Sequence, residues 1–184
     1  HMPVTEQIME KMGNTFILMG TSLIFSILVA IPLGIFLAVN KNSITSKVSS
    51  VFNYIGVSIP SFWIGMILIS IFSVKLNIFP SGGMHTIGND SIGDLVKHLV
   101  LPVITLGLYN TAIFTNYVEA SVNEQLKKQY VITARAKGLS EKVILFKHVL
   151  KNSLTSLVTI LGMSIQKLVT GAFVTEVVFS WPGM

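Results

Sequence analysis

Apolar positions along this chain gather into long runs separated by short polar stretches. Thr15 to Val39 holds no charge over 25 residues. A helix of that length spans about 37 Å, enough to cross a hydrocarbon core of about 30 Å with some tilt. Pro32 and Gly34 lie inside it, and in a bundle neighbouring helices can satisfy the backbone groups they free. Val51 to Val74 is a second uncharged run of 24 residues. Pro60 within it removes a backbone donor, which predicts a kink or a split. Leu95 to Tyr117 is a weaker third run, with Lys97 and His98 at its outer end and Asn110 and Asn116 diluting it. Ser153 to Val178 is a fourth, interrupted by Lys167 and by Glu176 near its end. Ahead of the first run, Pro3 to Gly13 carries Glu6, Glu10 and Lys11 and reads as a short amphipathic helix of its own.

The stretches between these runs differ in kind. Asn40 to Ser50 is a polar turn. Asn77 to Gly93 is rich in Gly, Ser and Asn, and Phe79-Pro80-Ser81-Gly82-Gly83 is turn chemistry. Glu119 to Asn152 is polar and basic, yet Val131, Ile132, Leu139, Val143, Phe146, Val149 and Leu150 recur at helical spacing. Gly138 suits the position just past a short helix ending at Lys137, and Ser140 suits the next N-cap. Two short helices with a sharp corner at Gly138-Leu139 are therefore expected. The chain closes on a turn, Ser180-Trp181-Pro182-Gly183-Met184.

Composition moves this pattern into a membrane. Hydrophobic residues make up 51% of the chain and charged residues 11%, against about 25% charged in soluble domains. The net charge of +5 would fit nucleic acid, but its placement argues otherwise. Lys41 and Lys47, with Lys127, Lys128, Arg135, Lys137, Lys142, Lys147 and Lys151, fall on one side of the predicted spans. Lys11, Lys75 and Lys97 fall on the other. An excess of Lys and Arg marks the cytoplasmic side, so residues 40–50 and 119–152 are expected inside and the 76–94 loop outside. No nucleic-acid motif accompanies the charge. Because an outward amino terminus normally follows an earlier span, the sequence reads as part of a longer chain. The absence of Cys excludes thiolate metal sites and Cys catalysis. No phosphate-binding glycine loop is present, so no ATP motif lies in these residues. His85 and His98 lack metal-site spacing and read as surface residues.

Residues 130–141, Tyr130-Val131-Ile132-Thr133-Ala134-Arg135-Ala136-Lys137-Gly138-Leu139-Ser140-Glu141, resemble the cytoplasmic loop of ABC-importer permeases. That loop opens on Glu-Ala-Ala and reaches Gly after three more residues. Here Ile132-Thr133-Ala134 and Gly138 occupy those places, with Ile132 departing from the leading Glu. The Thr-Ala-Arg-Ala-Lys-Gly form is similar to the dipeptide, oligopeptide and nickel branch. So are His148-Val149-Leu150-Lys151-Asn152, Val57-Ser58-Ile59-Pro60-Ser61-Phe62-Trp63 and Glu176-Val177-Val178-Phe179-Ser180-Trp181-Pro182-Gly183.

The resemblance implies an all-α, polytopic transmembrane helical bundle in a bacterial or archaeal cell (inner) membrane. A permease domain would cover residues 3–178, with four of an expected six spans at about 15–39, 51–74, 95–117 and 153–178 and a cytoplasmic coupling loop at 119–152. Implied partners are a second permease subunit, two ATPase subunits, an extracytoplasmic solute-binding protein and membrane lipid. ATP and Mg would belong to the ATPases, leaving no cofactor in this chain, no catalysis and no nucleic-acid partner. Solutes of this permease type are peptides, nickel or metal chelates.

Two sets of site residues follow. Tyr130, Thr133, Ala134, Arg135, Ala136, Lys137, Gly138 and Leu139 are the candidates for coupling to an ATPase. Ser58, Pro60, Ser61, Trp63 and Lys167 are the candidates for the solute path. A lipid-surface helix is the competing reading of the first set. A passive kink and a snorkelling Lys compete for the second. Lys167 near mid-span costs about 2.5–3.5 kcal/mol on insertion scales, which makes it a site hypothesis by default. An ion channel or stand-alone carrier would need a filter-like sequence or several intramembrane charges. An intramembrane enzyme would need a paired constellation, and no Asp lies in any predicted span.

Overall fold

A computed structural model describes residues 4–41 and 43–184, without the side chains of 4–10, 45, 52, 156, 163 and 165–171. Helix α1 (Val4–Val39) is continuous. The amino-terminal segment expected to be separate is its first turns, because Gly13 and Asn14 alone do not break a helix this apolar. Helix α2 (Ile44–Ser58) is separated from α3 (Ser61–Leu68) by Pro60 in an extended conformation, φ −59° and ψ 135°. The expected split thus falls at Pro60. Helix α3 passes into a π-helical stretch, Ile69–Lys75.

Helix α4 (Ile92–Leu126) takes in residues 119–126. Glu119 to Leu126 contains Ala, Glu, Gln and Leu and no Gly or Pro, so the helix outlasts its apolar part. Helix α5 (Gln129–Ala136) follows, then α6 (Glu141–Val143). The second short helix expected after the corner is not separate. Helix α6 runs through a π-helical stretch, Ile144–Val149, into α7 (Leu150–Val178), because nothing from Glu141 to Asn152 interrupts it. No β-strand occurs among the described residues beyond one bridge, Thr86 to Asn89.

Three helices are long and apolar enough to cross a membrane, and a fourth span results when the pair broken at Pro60 counts as one. Large apolar side chains on them remain exposed, among them Phe16, Leu28, Val74 and Val158. In water such a surface would be a liability, whereas lipid or partner helices cover it without penalty.

The chain divides into two compact units. The first comprises residues up to Ser26, Ser58–Asn110 and Gln166–Met184. Its core is Leu18, Met19, Leu99, Leu106, Ala172 and Trp181. Within it, Ser26 donates to the Gly107 carbonyl at 3.0 Å, tying α1 to α4. The second comprises Ile27–Val57 and Thr111–Ile165. It buries Leu37, Phe114, Val122, Val131, Ile144 and Val149. There Ser121 donates to the Ser153 carbonyl at 3.2 Å, tying α4 to α7.

Candidate functional sites: a helical corner and a hydrogen-bonded clasp

The corner lies in the second unit. Helix α5 starts from an extended Lys128 (ψ 150°) and ends in a left-handed residue, Gly138 at φ +77°. The Gly138 N–H donates to the Arg135 carbonyl at 2.9 Å and the Leu139 N–H to the Ala134 carbonyl at 3.2 Å. These paired bonds satisfy the last carbonyls of the helix and reverse the chain. Ser140 stands extended before α6 as an N-cap should, but its side chain makes no capping bond. The turn is closed instead by Arg135, whose Nε and Nη2 donate to the two Glu141 oxygens at 2.7 and 3.1 Å. These hydrogen bonds hold the Arg135 guanidinium above its ordinary value. At the other end, a 2.8 Å contact with Glu124 raises the Lys128 ammonium in the same way.

The coupling candidates divide by face. Ala134 is buried inside the unit with Val131, so its small side chain serves packing within this chain. Tyr130 is half-buried and donates to Gln125 Oε1 at 2.9 Å. Thr133, Arg135, Ala136, Lys137, Gly138 and Leu139 are exposed, beside exposed Ile132. The corner therefore offers a mixed apolar and basic surface on a backbone held by geometry.

Of the solute-path candidates, Ser58, Pro60 and Trp63 are exposed and Ser61 is half-buried at the start of α3. Lys167 lies in α7, and its side chain falls outside the described residues.

The first unit contains a polar assembly that sequence reasoning passed over. Ser91 caps α4, accepting from the Asp94 N–H at 3.3 Å. In a capping box the residue at Asp94's position would reach back to the cap. Here its carboxylate turns to the loop. Asp94 Oδ2 accepts from the Thr86 N–H at 2.6 Å and Oδ1 from the Thr86 hydroxyl at 2.8 Å. One helical turn on, His98 Nδ1 lies 3.1 Å from both the Gly82 and the Gly83 carbonyls. His98 is 6% exposed, and His85 is half-buried with Nδ1 3.8 Å from Asp94 Oδ2. Reading His98 as a surface residue is thus corrected, because the loop folds over α4 and buries it, while His85 stays partly exposed at the rim.

The loop in turn grips the end of α7. The Gly83 N–H donates to the Phe179 carbonyl at 2.8 Å. Gly82 lies so close that a Cβ there would meet the Phe179 carbonyl oxygen at 2.6 Å. Helix α7 ends in left-handed Ser180, φ +48°, with bonds from Ser180 N to Val177 O and from Trp181 N to Glu176 O. Trp181 then enters the core and donates from Nε1 to the Asn14 carbonyl at 3.0 Å, while Asn14 Nδ2 donates to the Pro182 carbonyl at 3.0 Å. Thr15 donates to buried Glu176 at 2.6 Å. Loop, α1, α4 and α7 are thereby clasped together. Ser91-Ile92-Gly93-Asp94 was the local signal for the helix start, but nothing local marks Thr86, Gly82 or Phe179 as partners.

Comparison with known proteins identifies the chain. Residues 30–184 match the family described as "Binding-protein-dependent transport system inner membrane component". The chain is 39% identical over 99% of its length to the oligopeptide transport system permease protein AppB of Bacillus subtilis (strain 168). It is 40% identical over 98% to a putative peptide permease protein, BOV_A0351, of Brucella ovis. Against the glutathione transport system permease protein GsiC of Escherichia coli (strain K12) it is 36% identical over 99%. It spans 58%, 57% and 56% of those relatives' lengths, respectively. The chain belongs to the binding-protein-dependent transport system inner membrane components, the helical permeases of ABC importers.

Proposed function

We propose that the protein containing this chain is the transmembrane permease subunit of an ATP-driven importer of peptides, a class that includes the tripeptide-sized solute named for one relative. Residues 40–50 and 119–152 face the cytoplasm in this reading, and the 76–94 loop faces outward, following the basic-residue bias. An extracytoplasmic binding protein delivers the solute, a second permease completes the pathway and two ATPase subunits dock from inside. Ser58, Pro60, Ser61, Trp63 and Lys167 border the path, where Lys167 meets a peptide carboxylate.

The observation that carries the reading is the corner at Gly138. A lipid-surface helix favours one continuous apolar stripe. This segment instead turns sharply, leaves Thr133, Ala136, Lys137 and Leu139 exposed and braces the turn with Arg135 and Glu141. Such a shape fits insertion into a groove of another protein. The permease itself performs no bond chemistry; it converts ATPase closure into alternating access.

The test uses the full-length complex reconstituted in liposomes. Gly138→Val is expected to assemble in the membrane but to lose solute-stimulated ATP hydrolysis and uptake together, while Lys142→Gln retains both. Normal assembly with both activities intact in Gly138→Val would return the segment to the lipid surface.

A further inference from the structure

The clasp is one hydrogen short. His98 Nδ1 faces two carbonyl oxygens, which only accept, so Nδ1 bears the ring hydrogen. A neutral imidazole has no second hydrogen, and its Nε2 offers a lone pair. That Nε2 lies 3.3 Å from Thr86 Oγ1 and 3.6 Å from Asp94 Oδ2. Thr86 has a single hydroxyl hydrogen, already given to Asp94 Oδ1 at 2.8 Å. With a neutral ring, the Nε2 of buried His98 therefore faces two acceptors, one on buried Asp94 and one on exposed Thr86. We propose that the loop clasp is a proton-binding site, in which a proton taken up at His98 Nε2 fastens residues 82–86 to α4 and, through Gly83, to the end of α7.

The added proton turns both contacts into donations, to Asp94 Oδ2 and to Thr86 Oγ1. An imidazolium donating to a carboxylate is the stronger, charge-assisted kind of bond. His85, from the loop, faces the same Asp94 oxygen from 3.8 Å and its Nδ1 has no hydrogen-bond partner among the described residues. It adds to the field in a more exposed position. From the end of the second span, Ser73 and Asn77 line the cavity beside the histidines, and neither is charged. Lys75 and Lys97 are exposed. Glu176 on α7 is engaged by Thr15. Asp94 is thus the counter-charge and His98 the responding group. Losing the proton leaves a lone pair against a carboxylate, and the strap over α7 loosens.

This is tested on the full-length protein in detergent, without solute or ATPase, so its outcome is independent of the transport reading. Spin labels are placed at Ile87→Cys and Val177→Cys, both exposed positions, after replacement of any cysteine beyond these residues, which contain none. Histidine is the side chain that ordinarily changes charge between these conditions, so distances are compared at about pH 5.5 and about pH 8.5. The expected distribution is narrow at the lower pH and clearly broader at the higher. His98→Gln abolishes that response, and His85→Gln retains it. Asp94→Asn abolishes it in the closed state, for a specific reason. The carboxamide oxygen takes over the Thr86 N–H and its NH₂ donates to Thr86 Oγ1. The Thr86 hydroxyl hydrogen is then free to reach neutral His98 Nε2. Equal distributions at both pH values in the parent, or a response that survives His98→Gln, overturn the proposal.

Discussion

Two helices in this chain end in the same turn, and they hold it by opposite means. Helix α5 closes on Gly138 at φ +77° and α7 on Ser180 at φ +48°, each with the same pair of helix-end hydrogen bonds. A glycine adopts that conformation freely, whereas an L side chain there costs about 1–2 kcal/mol. The residue after Gly138 is exposed Leu139, and a Cβ on Gly138 would meet open space. The residue after Ser180 is Trp181, 4% exposed and packed in the core of its unit. The backbone of the first turn is thus set by a glycine, with one exposed ion pair, Arg135 to Glu141, across it, and its surface is left free. The second is imposed by tertiary contacts, the Gly83 bond to Phe179 and the Trp181 bond to Asn14. A surface built to be read by another protein suits the first arrangement, and a fixed fastening suits the second.

The sharpest way to break the comparison is to remove the tertiary hold. Trp181→Ala deletes a buried aromatic, for which a loss of about 3–5 kcal/mol is expected. Thermal unfolding of the full-length permease in detergent measures it. Trp181→Phe keeps most of the packing but drops the bond to Asn14, so its cost is expected near 1 kcal/mol. Equal effects of the two would mean that the hydrogen bond, and not the burial, holds the end of α7.

A pair of glycine exchanges sharpens the contrast through its sign. Gly138→Ala places a side chain in the left-handed region with nothing to clash against, so it is expected to cost about 1–2 kcal/mol. Ser180→Gly relieves the same backbone strain, offset by a freer unfolded chain, and is expected to be neutral to about 1 kcal/mol stabilising. Both are read as shifts in unfolding temperature. Destabilisation by Ser180→Gly would show that the serine side chain contributes to the clasp.

The corner was legible in advance and the clasp was not, for a physical reason. Gly138 and Ser140 announce a helix end and the next start within a few positions, and Pro60 announces a break in the same way. The family resemblance rested on those local motifs. The clasp joins Asn14, Thr86, Asp94, His98, Glu176 and Trp181, whose partners are set by the fold and not by spacing. His98 and Asp94 are one turn apart and could have been paired from sequence. That pair alone does not reveal that the loop closes over it. Two helices outlast their apolar runs, because polarity alone does not end a helix. Residues 119–126 and 141–149 are polar or mixed but contain no breaker, so α4 and α7 continue through them.

The smallest effect belongs to the ion pair that braces the corner. Arg135 and Glu141 meet at 2.7 and 3.1 Å, but both side chains are largely exposed, 47% and 68%. Exposed pairs are screened by salt and must order two long side chains, so little net stability survives. In a double-mutant cycle of Arg135→Gln and Glu141→Gln, the unfolding temperature is expected to stay within experimental error, with any coupling lost on adding salt. The bidentate geometry is better suited to orientation than to stability, because it fixes where α6 begins relative to α5. Coupled ATP hydrolysis in the assembled transporter is therefore expected to fall further than stability does. The fall should be similar in either single variant and no greater in the double. A large stability loss would show that the corner, like the clasp, depends on its side chains and not on glycine.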